Sequence, residues 1–269
     1  FPSLSRSFLP KVSPLPLEKD RDIAERRVAM LARKYSEILI SAIESIAAEE
    51  ADKIAKAAGI IKDVIAADGL IHVFGCGHSH ILAEESFYRA GGLACVYPVF
   101  HEPLMLHESA VLSSSLEKKA GLAGTLVQRH PFESRDALIC VSTSGVNAVP
   151  VEFAMGAREL GIPVIGISSD AYLTVDTGRP HLQHVCDVCI DNHAPYGDAC
   201  LEIPGLDTMM TPVSTVTGCF IINSIFAQAA DLASAQGLEV PVFKSGNVPG
   251  GREFNNALIE RYHGRVKCL

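Results

Sequence analysis

Five apolar residues in a row, Ala137-Leu138-Ile139-Cys140-Val141, run directly into a turn of three hydroxyls and a glycine, Ser142-Thr143-Ser144-Gly145, and then into a helical pattern reaching about Leu160. An unbroken apolar run of strand length fits a parallel strand covered on both faces. Gly145 lets the backbone pass close to a ligand, and the following helix opens with unpaired N–H groups at the positive end of its dipole. Such a turn can hold an anion, most often phosphate. An N-capped helix without a ligand has the same outline, so this turn alone leaves both readings open.

A second turn upstream strengthens the first. Leu70–Phe74 reads as a strand, Gly75-Cys76-Gly77-His78-Ser79 as a glycine-rich turn, His80–Ala90 as a helix ended by Gly91-Gly92, and Leu93–Tyr97 as a second strand. This is one right-handed βαβ unit. The third glycine of a dinucleotide fingerprint is missing, and Ala94–Pro98 offers no acidic partner for a ribose, which argues against NAD. Further strands are expected at Ile162–Ile167 and Val185–Ile190, with an edge strand at Ala199–Ile203. Residues 170–184 read as an irregular loop. Ahead of the first strand, Leu31, Tyr35, Ile38, Ala42 and Ile46 mark one helical face, and Ile54, Ala58, Ile61 and Ile65 mark another. Thr211-Pro212 reads as the N-terminus of a buried helix reaching about Ala235 and stopped by Gly237. Residues 1–20 form an extended, proline-rich arm, 21–240 the domain, and 241–269 a tail with a helix over Glu253–Tyr262 that could cross an oligomer interface. Alternating strands and helices predict a parallel sheet with helices on both faces, and ligands in such sheets sit beyond the carboxyl ends of the strands.

A net charge of −8 argues against nucleic-acid and acidic-membrane partners. No stretch reads as a bilayer span and no leader pattern opens the chain, so a cytoplasmic protein is expected. Eight cysteines, mostly within apolar segments, suit a reducing compartment. Cys186 and Cys189 are three apart; on one strand they would point to opposite faces, so core cysteines are expected rather than a metal or redox pair.

Val73-Phe74-Gly75-Cys76-Gly77-His78-Ser79 resembles the GxGxS turn of the sugar isomerase (SIS) domain, and Ser142-Thr143-Ser144-Gly145-Val146-Asn147 resembles its SxSGxT phosphate loop. The likeness continues through Gly161–Ser168 and His184–Ile190, spans about residues 50–235, and is nearest to the single-domain UPF0309 and phosphoheptose isomerase-like group. The resemblance implies a three-layer α/β/α sandwich with a five-stranded parallel sheet and a flavodoxin-like nest. It also implies a homodimer or homotetramer with sites at subunit interfaces; no cofactor and no metal are expected. Phosphate would be held by Ser142, Ser144 and the N–H groups of Thr143 and Gly145. Asn147 stands where the family has a threonine or serine. Gly77, His78 and Ser79 would face the sugar.

Aldose–ketose isomerisation needs a base for the proton α to the carbonyl, a group to open the ring, and a donor for the enediolate oxygen. Glu102, between His101 and His107, supplies those residue types at the expected rim and is the leading base. His193 follows the fifth strand and is a ring-opening candidate, with Asp191 and Asp198 placed to orient it. Where relatives carry a glutamate on the helix after the first turn, this chain has Arg89, so Glu85, about one turn earlier, is a further candidate beside Glu84. His78 and His80 diverge on a helix; together with His101 or His107 they could bind zinc, as in some relatives of the resembled family, but no metal is expected. Lys244 and Arg252 in the tail could close over an anion. The expectation is a sugar-phosphate isomerase working through a cis-enediol. The alternatives are an aminosugar-phosphate deaminase or lyase, or a non-catalytic phosphosugar sensor.

Overall fold

The computed structural model describes residues 18–269 other than 177. The expected arm falls outside the described residues as far as residue 17, and from Glu18 the chain is helical. In chain order the elements are α1 (Glu18–Glu49), α2 (Ala51–Ala66), β1 (Ile71–Gly75), α3 (Ile81–Ser86), β2 (Val96–Pro98), α4 (Leu106–Leu116), α5 (Leu122–Arg129), β3 (Ala137–Val141) and α6 (Ala148–Glu159). They continue with β4 (Val164–Ser168), α7 (Leu182–Val185), β5 (Val188–Asp191), β6 (Ala199–Leu201), β7 (Met210–Pro212), α8 (Ser214–Ala235) and α9 (Gly251–Tyr262).

Five strands form one parallel sheet in the order β2-β1-β3-β4-β5, with Ile71 opposite both Val96 and Ala137, and Leu138 opposite Val164. Every residue of β1, β3 and β4 is buried, as their unbroken apolar runs require. The chain steps one way across the sheet from β1 to β2 and the other way from β3 to β4. Right-handed crossovers therefore put α3 and α6 on opposite faces. α2, α3 and α8 pack together on one face, with α1 outside them, while α5, α6 and α7 pack on the other. The result is the three-layer α/β/α sandwich. Its switch point, where the strand order reverses, lies between β1 and β3.

Several local expectations change. α3 stops at Ser86, whose Oγ bonds back to the carbonyls of Leu82 (2.8 Å) and Ala83 (3.2 Å); Phe87 is extended and Tyr88 left-handed at φ +43°. β2 consequently starts at Val96 rather than Leu93, which instead bridges Val242. Ala199–Leu201 pairs with β7 as a separate antiparallel hairpin and does not join the main sheet. Thr211-Pro212 belongs to that hairpin, and α8 begins at Ser214 under a different cap, described below. α8 is long and apolar enough to cross a membrane by length and composition, contrary to the sequence expectation. Its residues Ile221, Ile222, Ile225 and Phe226 are buried here in packing against α2, α3 and α1. Cys186 lies outside β5, so its sulfur and that of Cys189 both lie over Gly166 rather than on opposite faces; both are free thiols. The tail folds onto its own domain, burying Tyr262 and Val266 and fixing Arg261 and Arg265 on Asp68.

Beneath the β1–β3 pair runs a buried polar chain. Asp136 accepts the Leu70 N–H (2.8 Å), the Glu133 N–H (2.8 Å) and a bond from His72 Nε2 (3.0 Å), and His72 Nδ1 is 2.8 Å from His130 Nε2. An ionised Asp136 fixes the proton of His72 on Nε2. His72 Nδ1 then accepts from His130 Nε2–H, and burial holds the His130 imidazole well below its ordinary value.

Candidate functional site

A cleft of about 230 Å³ opens at the switch point, beyond the carboxyl ends of β1 and β3. Its walls are the turn after β1 (Cys76, His78, Ser79) and the turn after β3 (Ser142, Thr143, Ser144, Asn147), with Glu117 from the end of α4 and Ser214 and Thr215 from the start of α8.

The β3 turn is held from behind. The Thr143 carbonyl accepts from Ser169 N–H (2.8 Å) and Ser168 Oγ (3.3 Å), and the Gly145 carbonyl accepts from Leu182 N–H (2.8 Å). Gly145 has φ +63°, and a Cβ there would lie 2.6 Å from Ser168 Oγ and 2.7 Å from Gln183 Oε1, so no other residue fits without displacement. The Gly145 N–H donates to Ser142 Oγ (3.2 Å) and is therefore not free for a ligand, a correction to the expected grip. The N–H groups of Thr143, Ser144, Val146 and Asn147 have no acceptor among the described residues, and Asn147 leads into the N-terminus of α6. Donors thus converge at the positive end of a twelve-residue helix.

The β1 turn needs Gly75, whose Cβ would lie 2.5 Å from the Ser79 backbone, and Gly77 adopts φ +55°. His78 and Ser79 face the cleft, whereas His80 is bound to its own turn through Gly77 O and, at 3.2 Å, to Glu84. Asp198 caps α8: its Oδ1 accepts the N–H groups of Val213 (3.0 Å) and Ser214 (2.8 Å), and its Oδ2 accepts from Ser214 Oγ (2.6 Å). Its role is to fix the α8 wall of the cleft, not to orient His193.

Two acidic residues line the cleft; Asp198 is committed to the α8 cap, and the other, Glu117, was not singled out by the sequence reading. Its carbonyl accepts the Val149 N–H (2.9 Å), which ties the end of α4 to the first turn of α6 and carries its side chain into the cleft. The carboxyl has no hydrogen-bond or ion-pair partner among the described residues, and burial pushes its pKa up. In sequence it precedes Lys118-Lys119 and looks like part of a solvated charge run; no spacing marks it.

The five residues expected to do the chemistry do not line this cleft. His101 and Glu102 line a separate cavity, with His130 and Arg129, because they follow β2, the edge strand away from the switch point. His107 is exposed at the start of α4, near Glu108. Glu85 pairs with Arg89 and meets Asn223 at 3.4 Å. His193, left-handed at φ +52° with Nε2 3.9 Å from Asp191, faces a groove beside α1. The turn residues His78, Ser79, Ser142, Thr143, Ser144 and Asn147 do meet in one place, with Gly77 and Gly145 shaping the backbone beneath them.

The class defined by this fold is a parallel α/β protein with its cleft at the switch point between two hydroxyl-bearing turns. The chain belongs to the SIS domain family, whose model matches residues 34–169. It is 44% identical to a UPF0309 protein of Listeria innocua, over 89% of this chain and 98% of that one. It is 41% identical to a UPF0309 protein of Geobacillus kaustophilus, over 89% and 97%. Among solved structures, it is similar to a phosphoheptose isomerase from Francisella tularensis (14% identity, 77% of this chain and 98% of that one, TM-score 0.49). It is also similar to phosphoheptose isomerase GmhA from Neisseria gonorrhoeae (18%, 79% and 99%, TM-score 0.45). No reaction is drawn from likenesses this distant.

Proposed function

We propose that this protein is a sugar-phosphate isomerase interconverting an aldose and a ketose through a cis-enediol, with Glu117 as the base. The observation that carries the reading is an unpartnered, half-buried carboxyl opposite a turn of free N–H groups and hydroxyls, all in one small cleft. Phosphate binds at the β3 turn, on Ser144, the Ser142 hydroxyl and the N–H groups leading into α6. That anchors the sugar so that its C2 proton lies toward Glu117. A carboxylate raised by burial is a stronger base than a solvated one, which suits removal of a weakly acidic proton near neutral pH. His78 and Ser79 supply the donors for ring opening and for the enediolate oxygen. Glu102 gives up the base role of the sequence reading because it opens on a different cavity.

Exchange of the C2 proton in deuterated water, measured by NMR with sugar phosphates of three to seven carbons, tests this. Glu117→Gln should keep binding and lose exchange; Ser144→Ala should weaken binding at least several-fold and leave the fold intact. Exchange that survives Glu117→Gln would remove Glu117 as the base. Release of ammonia from aminosugar phosphates would select the deaminase, and saturable binding without exchange would select the sensor.

A further inference from the structure

A second cavity, of about 340 Å³, lies where the turn after α3 meets the loop before α9, and it shares no lining residue with the cleft. Tyr88 and Arg89 come from the first segment, Phe243 and Lys244 from the second, and Arg252 from the first turn of α9. The two segments are stitched together: Gly91 N–H donates to Phe243 O (2.8 Å) and Phe243 N–H to Gly92 O (3.0 Å). Asn255 then holds both backbone groups of Lys244, accepting its N–H (2.9 Å) and donating to its carbonyl (2.8 Å). The lysine is thus placed by a two-point clamp. Its ammonium sits 3.9 Å over the ring of Phe254.

The charge here is unbalanced. Arg89 is neutralised by Glu85, but Lys244 and Arg252 have no carboxylate partner among the described residues, in a chain whose net charge is −8. Beside them Tyr88 is 55% exposed, with its ring held edge-on to Phe243 at 5.2 Å. Two uncompensated cations next to a fixed, open aromatic face recognise a flat ring bearing a phosphate, by ion pairing at one end and stacking at the other. The volume suits one small ligand and excludes a dinucleotide.

We propose that this cavity is a binding site for a mononucleotide, with its phosphate on Lys244 and Arg252 and its base against Tyr88. Calorimetry on the full chain with AMP, ribose 5-phosphate and inorganic phosphate as probes tests it. In Ser144→Ala, where the cleft's hold on sugar phosphates is weakened, AMP should bind saturably and more tightly than either other probe. Lys244→Gln with Arg252→Gln should weaken AMP at least tenfold, Tyr88→Ala should remove its advantage over ribose 5-phosphate, and Ser144→Ala in the cleft should leave AMP binding unchanged. All these positions except Ser144 are exposed, and a melting curve for each variant shows that it is folded. Absence of saturable AMP binding, indifference of a folded double variant, or loss of binding in folded Ser144→Ala would each overturn the proposal.

Discussion

Glu117 and Gly145 show how single residues set the cleft. The folded-state pKa of Glu117 lies above its unfolded value because burial disfavours the charged form. The native state therefore holds its proton to higher pH than the unfolded chain, and stability falls as pH rises through that window. Above that window the charged carboxyl, taken partly out of water, is a cost to folding. Glu117→Gln, which removes that charge, should raise the melting temperature at pH 7 and leave it nearly unchanged at pH 4, while C2 exchange is lost; equal melting curves at both pH values would contradict this. Gly145→Ala should do the reverse of stabilising. The left-handed backbone and the contact with Ser168 Oγ and Gln183 Oε1 both oppose a methyl group. A loss of about 1–3 kcal/mol in urea unfolding is expected, with sugar-phosphate binding weakened as well. Hydroxyl and glycine spacing marked the two turns that meet at the cleft, and the family resemblance singled out His78 and Asn147 within them. Glu117 was marked by neither, because its importance comes from a tertiary hydrogen bond between its carbonyl and Val149 N–H.

At the scale of elements, the apolar run gave β3 its limits, Ala137–Val141, and the end of α6 to within a residue or so. Ends that depend on remote partners were less readable. Thr211-Pro212 has the form of a helix start, yet the cap of α8 is Asp198, thirteen residues earlier and left-handed at φ +65°. Asp198→Ala should cost about 0.5–2 kcal/mol, in the range of a lost N-cap, and loosen the Ser214–Thr215 wall of the cleft. Faster amide exchange in the first turn of α8 is the measurement, and unchanged exchange there would mean that Asp198 does not hold it. The early stop of α3 is of the same kind. Nothing between His80 and Ala90 breaks a helix by composition, yet Phe87 is extended and packs against the core.

Across the whole molecule, two buried features govern stability. His130 is held down to about 3, chiefly by burial and next by His72. For Asp136 burial acts upward, but its hydrogen bonds from His72, Leu70 and Glu133 outweigh that and hold it below the usual carboxylate range. The unfolded chain therefore binds more protons than the native one below the ordinary histidine value of 6.5. Stability is full above that pH and is lost as pH falls from 6.5 toward 3, with a slope from His130 of at most about 1.4 kcal/mol per pH unit. His130→Gln should flatten this slope between pH 6.5 and 4 in urea titrations. Tail docking is the second feature. Tyr262 is 1% exposed, beneath Arg261 and Arg265 on Asp68. Tyr262→Ala should cost about 3–5 kcal/mol and make residues 241–269 the first site of proteolysis; uniform destabilisation with no change in the cleavage pattern would argue against a docked tail.

Order and composition along the chain were sufficient for the parallel sheet, its two hydroxyl turns and their place at the strand ends, because each is a local pattern of apolar runs, glycines and hydroxyls. The tertiary structure alone decided which charged residues share the cleft. His101, Glu102, His107 and His193 follow strands whose ends look equivalent in sequence, yet the order β2-β1-β3-β4-β5 puts the switch point between β1 and β3 and leaves β2 and β5 at the edges. Strand order is set by packing between segments far apart in sequence, and no local spacing records it.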